Sequence, residues 1–146
     1  MIYDISILQG IDGTEPAGAT IVPDEGSYAS QGAVKRAHQF LVALFTGSGE
    51  SVADPDAGSQ FPYLLFSGAL KDAASLEFAF NDARALILQK MDREEPAGYP
   101  AADRISSVEF QESSVYRGSG VLRFRVVTDG GSANVMVPVK NPGVMR

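Results

Sequence analysis

The sequence predicts an α+β fold: two main helices packed on a small antiparallel β meander, with an extended N-terminal arm. Three observations carry that expectation. Apolar residues recur at intervals of three and four in two central segments, apolar and polar residues alternate in the last third, and a long patternless stretch precedes both. At the N-terminus, Ile2 to Leu8 alternates, with Tyr3, Ile5 and Ile7 on one face and Asp4 and Ser6 on the other, which reads as a short strand. Gln9 to Gln31 then dissolves into Gly, Pro, Ala, Ser, Thr and acidic residues, a patternless stretch typical of a binding arm or a mobile linker and read here as an extended arm. The chain accordingly divides into a strand and arm over 1–31 and a single α+β domain over 32–146.

The first helix is expected from Gly32 to Phe45, where Val34, Ala37, Leu41 and Leu44 line one face and His38 borders it. Thr46-Gly47-Ser48-Gly49 marks its end, since glycine reaches the positive φ of a helix terminus without strain. Pro55 and Gly58 punctuate the loop that follows, and Phe61 to Phe66 is apolar enough for a short helix or a packed turn. The second helix is expected from Leu70 to Met91. Leu76, Phe80, Ala83, Ile87 and Met91 form its main stripe, and Phe78, Ala85 and Leu88 widen it to a helix buried on more than one side. Pro96 stops it by driving the preceding residue out of the helical region. Asp92, Glu94 and Glu95 oppose the dipole at that end by roughly a few tenths of a kcal/mol each, a conflict that a basic partner would remove.

The β meander follows from Val108 and Phe110, then Leu122, Phe124 and Val126, then Val135, Val137 and Val139, each set alternating with its neighbours. Arg117-Gly118-Ser119-Gly120 and Asp129-Gly130-Gly131-Ser132 supply turns. Pro138 cannot donate a ladder hydrogen bond, so the strand carrying Val135, Val137 and Val139 is expected at the sheet edge.

Composition narrows the chemistry. The 146 residues include no cysteine, no tryptophan and one histidine, which excludes disulfides, thiolate catalysis and any metal site needing two imidazoles. Twelve Lys and Arg against eighteen Asp and Glu give a net charge of −6, a poor match for nucleic acid or an anionic membrane. Met1 to Gly10 lacks the basic and apolar regions of a signal peptide, so folding in a reducing cytoplasm is expected. A serine nucleophile would need His38 as base, yet no Gly-x-Ser-x-Gly elbow presents one. Asp54 and Asp56, and Glu94 and Glu95, are acid pairs in polar surroundings without the apolar pocket that raises a catalytic carboxyl. No calcium loop and no Gly-Lys-Ser/Thr phosphate cradle occurs. Contact rather than catalysis is expected, with no cofactor and no metal.

The order of these parts is distinctive: a helix ending on Thr46, then Gly49-Glu50, Pro55 with Gly58-Ser59, a long helix closing on Glu95-Pro96, then Arg104-Ile105 and a β meander. Over residues 32–140 it resembles the baseplate wedge or sheath-initiator family of contractile phage tails, called "lysozyme-like" for historical reasons, which has a counterpart in type VI secretion baseplates. The family pattern has Arg where Ser51 stands and an aromatic where Ala57 stands, and its Glu-Pro-Arg-Ile unit is split here by an insertion around Gly98-Tyr99-Pro100. The resemblance implies a non-catalytic subunit present in several copies in a ring around the tail tube. It implies docking on other wedge proteins through Glu50, Pro55, Gly58, Ser59, Glu95, Pro96, Arg104 and Ile105. It also implies templating of the first tail sheath ring by β-augmentation, in which an open sheet edge accepts a neighbour's strand. The expected location is the virion tail baseplate, reached from the host cytoplasm during assembly. Three alternatives stay open: a small adaptor of the same fold, a type VI secretion baseplate subunit, and an acid-pair hydrolase suggested by the family's historical name alone.

Overall fold

The structure, a computed structural model, describes residues 3–7, 17–23, 28–49, 58–67, 69–70, 72–116 and 119–139. In chain order the elements are β1 (Tyr3–Ile7), β2 (Ala17–Pro23), α1 (Tyr28–Leu44), α2 (Phe61–Phe66), α3 (Ala73–Glu94), a 3-10 turn (Ala101–Asp103), β3 (Ile105–Phe110), β4 (Ser114–Tyr116), β5 (Ser119–Thr128) and β6 (Gly131–Val139). The fold is α+β, as the periodicities predict. All strand pairs are antiparallel and make one six-stranded sheet in the order β1-β2-β6-β5-β3, with β4 also on β5.

Helix α1 buries Ala33, Ala37, Phe40, Leu41 and Leu44 completely, packing over β2, β5 and β6. It begins four residues before the expected start at Gly32. A glycine inside a helix costs about 1 kcal/mol relative to alanine and so reads as a boundary. Here it lets the helix pass close to Asp103, whose carboxylate would have to turn aside for any larger side chain at this position. Helix α2 forms over the expected residues and places Phe61 and Leu65 inside. Helix α3 starts on a capping box, with Asp72 accepting from the Ser75 N–H at 2.8 Å, and the N–H contact holds the Asp72 carboxyl below its usual pKa. It ends at Glu94, and Glu95 turns extended (φ −68°, ψ 124°), as the residue before a proline must. Leu76, Ala79, Phe80, Ala83 and Ile87 are its buried face. Burial on more than one side does not occur: Phe78 is 79% exposed and Ala85 is exposed, because the sheet lies on one side of α3 only.

Phe80 is the hub of the core. Its ring stands 6.0 Å from Phe40, 6.3 Å from Phe61, 5.4 Å from Phe110 and 5.2 Å from Phe124, joining α1, α2, β3 and β5 in tilted and edge-on pairs. The sheet contributes alternate residues to the same core: Ala19 and Ile21, Val108, Leu122, Phe124 and Val126, and Ala133, Val135 and Val137.

Two expectations about the sheet are corrected. The segment read as an arm carries β2, which lies between β1 and β6, so a division at 31/32 separates strands from their own sheet and cuts through α1. Residues 8–16 and 24–27 of the expected arm lie outside the described residues. The strand carrying Val135, Val137 and Val139 is not an edge: β6 is flanked by β5 along its length and by β2 at Ala133–Met136. Its register with β2 ends at Met136, before Pro138, so the proline's missing N–H terminates that pairing instead of marking an outer strand. The outer strands are β1 on one side and β3 with β4 on the other.

Candidate docking site

Pro96 releases the chain from α3, and Glu95, the first residue beyond the helix, turns back towards α1. Its Oε1 accepts from Arg36 Nη2 at 2.6 Å, and its Oε2 lies 3.5 Å from Arg104 Nη1. Both members of the Arg36–Glu95 pair are buried, with side chains 6% and 7% exposed, while Arg104 is 46% exposed. Arg36 Nη1 also donates to Gln39 Oε1 at 2.7 Å, and the Tyr99 ring lies 5.0 Å below the guanidinium carbon. A buried pair of this kind costs several kcal/mol of desolvation per ion before its attraction is counted, so it survives on hydrogen bonds and geometry.

Backbone contacts hold this corner in place. Tyr99 N–H donates to Pro96 O at 3.1 Å, Arg104 N–H to Ala101 O at 3.2 Å, and Gly130 N–H to Ala102 O at 3.1 Å. Asp129 N–H reaches Arg104 O at 3.3 Å, and Ser106 Oγ donates to Asp129 Oδ1 at 2.7 Å. The segment around Gly98-Tyr99-Pro100 therefore loops out between residues that meet again, and Glu95, Pro96, Arg104 and Ile105 occupy one corner. Clefts flank the Arg36–Glu95 pair: about 640 Å³ between α1 and α3, and about 460 Å³ towards Arg104, Ile105 and Asp129.

The remaining residues expected at the site fall elsewhere. Glu50 and Pro55, like Asp54 and Asp56, lie outside the described residues. Gly58 and Ser59 close the C-terminus of α1. Ser59 N–H donates to Thr46 O and Ser48 N–H to Ser59 O, both at 3.0 Å, and Ser59 Oγ, buried, accepts from Phe61 N–H at 3.2 Å. Gly58 has φ +94°, and a Cβ there would stand 2.5 Å from Thr46 O, so only glycine fits. Buried inside its own chain, the Ser59 side chain offers a partner no surface.

Two of the three acids at the end of α3, Glu94 and Glu95, are neutralised within the chain, while Asp92 is exposed. Glu95 is held by two arginines of its own chain, and Glu94 pairs with Lys90 at 3.4 Å, one helical turn back. Arg36 is absent from the site residues expected from the sequence, yet it is buried at this corner while its neighbour Lys35 is exposed. The signal was present, since Arg36 sits three after Ala33 and four before Phe40, on the apolar stripe itself. His38 is exposed instead of bordering the core. Among the described residues no group of three or more His, Cys, Asp or Glu side chains could hold a metal ion, and no helix is long and apolar enough to cross a membrane. Comparison with protein-family models, with curated proteins and with solved structures finds no match for this chain.

Proposed function

We propose that this chain is a structural component of a contractile phage tail baseplate that docks on the wedge core and initiates the sheath by β-strand augmentation. The observation that carries the reading is the Glu95–Arg104 contact. Eight residues separate the two in sequence, yet the fold returns them to one corner, where Pro96 and Arg104 are exposed and the Glu95 side chain is buried between Arg36 and Arg104.

The sheet gives the augmentation a direction. Gln111 N–H donates to Arg123 O at 2.9 Å, and the alternation of an antiparallel ladder then turns the Val108 backbone outward. Arg84 Nη1 already donates to that outward Val108 O at 2.7 Å, and the β3–β5 register slips between Ile105 and Ser107. Both features blunt an edge. A neighbour's strand therefore adds at β1, in place of the Val135, Val137 and Val139 edge expected from the sequence.

Size-exclusion chromatography with light scattering tests the docking half. The purified chain is expected to run as a monomer alone and to enter a ring only with wedge proteins, and Arg104→Ala, which leaves the buried pair intact, is expected to reduce entry. A ring formed by the chain alone, or unaltered entry of the variant, contradicts the reading.

A further inference from the structure

The groove between α1 and α3 carries exposed apolar side chains and a cluster of cations. Lys35, Gln39 and Val42 form its α1 wall at helical spacing, with Thr46 just beyond the end of α1, and Leu86, Gln89, Lys90 and Arg93 form its α3 wall. Lys35 to Val42 spans about 10 Å of helix axis, two turns. At one end Val42 and Leu86 are 49% and 54% exposed, an unusual state for apolar side chains on facing helices. At the other end four cations face two carboxylates, in a chain whose net charge is −6. Those two carboxylates are already engaged, Glu94 by Lys90 and Glu95 by Arg36 and Arg104. Lys35 and Arg93 have no ion pair among the described residues. On the wall of the same end, Arg36 Nε and the Tyr99 hydroxyl are buried without a hydrogen-bond partner among the described residues. An unmet buried donor is costly, and an acceptor brought beside it recovers that cost.

We propose that this groove seats an acidic amphipathic helix of a partner protein. Its apolar residues cover Val42 and Leu86, and its carboxylates, one to two turns along, face Lys35 and Arg93. A basic helix meets repulsion at the same end, so the groove selects partners by charge as well as by shape. The inference rests on the reading of the chain as an assembly protein and adds the chemistry of the helix it receives.

The test uses the full chain, labelled with ¹⁵N, and two synthetic amphipathic peptides of about 14 residues, four turns. Both share one leucine stripe; one carries Glu and the other Lys at the polar positions. In amide spectra the Glu peptide is expected to shift residues on both groove walls, Val42, Leu86 and Arg93 among them, at least about fivefold more tightly than the Lys peptide. Lys35→Glu with Arg93→Glu, both exposed and outside the core, is expected to invert that preference, and Leu86→Asp to abolish binding of both peptides. Equal binding of the two peptides, shifts confined to another surface, no shifts, or a preference indifferent to the charge reversal overturns the proposal. A chain that enters the wedge ring yet shows no peptide preference overturns the groove assignment alone. A chain that prefers the Glu peptide yet never enters the ring overturns the baseplate reading alone.

Discussion

At the residue scale the molecule turns on the Arg36–Glu95 pair, which ties the middle of α1 to the end of α3. Removing one partner leaves the other charge buried and uncompensated, a loss of about 3–5 kcal/mol. Glu95→Ala is thus expected to lower unfolding stability by that amount in urea titration. Arg104→Ala, which removes the exposed and longer contact, is expected to cost less than about 1 kcal/mol. Equal losses would mean that the pair does not act as a buried unit. Glu95 and Pro96 stood out in the sequence because proline dictates a helix end by local sterics. Their partner did not, because a basic residue is normally solvated and only the burial of its neighbours at 33, 37 and 40 places Arg36 inside.

At the scale of elements, ends were more legible than extents. The Pro96 stop, the Phe61–Phe66 helix and the Asp129-Gly130 hairpin follow from short-range rules. The one-sided burial of α3 does not, since its stripe looks wide until the sheet is seen to cover one face. The latch at the end of α1 is a local device with a sharp test. Gly58→Ala places a side chain at φ +94° and against Thr46 O, so it is expected to cost at least about 1–2 kcal/mol in the same titration. The α3 cap responds to acid. Because the folded Asp72 pKa lies below its usual 3.8, the stability it contributes is present above that value and is lost as pH falls through the lowered one. Asp72→Asn retains a capping oxygen but no longer titrates, so its stability is expected to fall less than that of the natural chain on acidification below pH 3.8. Parallel acid profiles would remove Asp72 from the acid response.

At the scale of the whole molecule, three helices and a six-stranded sheet share one core around Phe80. Phe80→Ala is expected to destabilise the fold by about 3–5 kcal/mol, measured as a shift of the urea midpoint. A loss under about 1 kcal/mol would show that the rings repack without it. The α+β class was legible because helical and strand periods occupy separate parts of the chain. The position of β6 and the existence of β2 were not. Ala17–Pro23 buries only Ala19 and Ile21 among its described side chains, a faint alternation, and the pairing that makes it a strand joins residues more than a hundred positions apart. Placing β2 beside β6 moves the outer strands to β1 and to β3, and Arg84 guards the latter. The functional reading therefore depends on one exposed corner and one open edge. Negative-stain microscopy of tail tubes grown on baseplates assembled with and without this chain, with sheath protein supplied, tests it most directly. Baseplates containing the chain are expected to carry a sheath from the first ring upward and those lacking it to carry bare tubes; a normal sheath in its absence would contradict the proposed role.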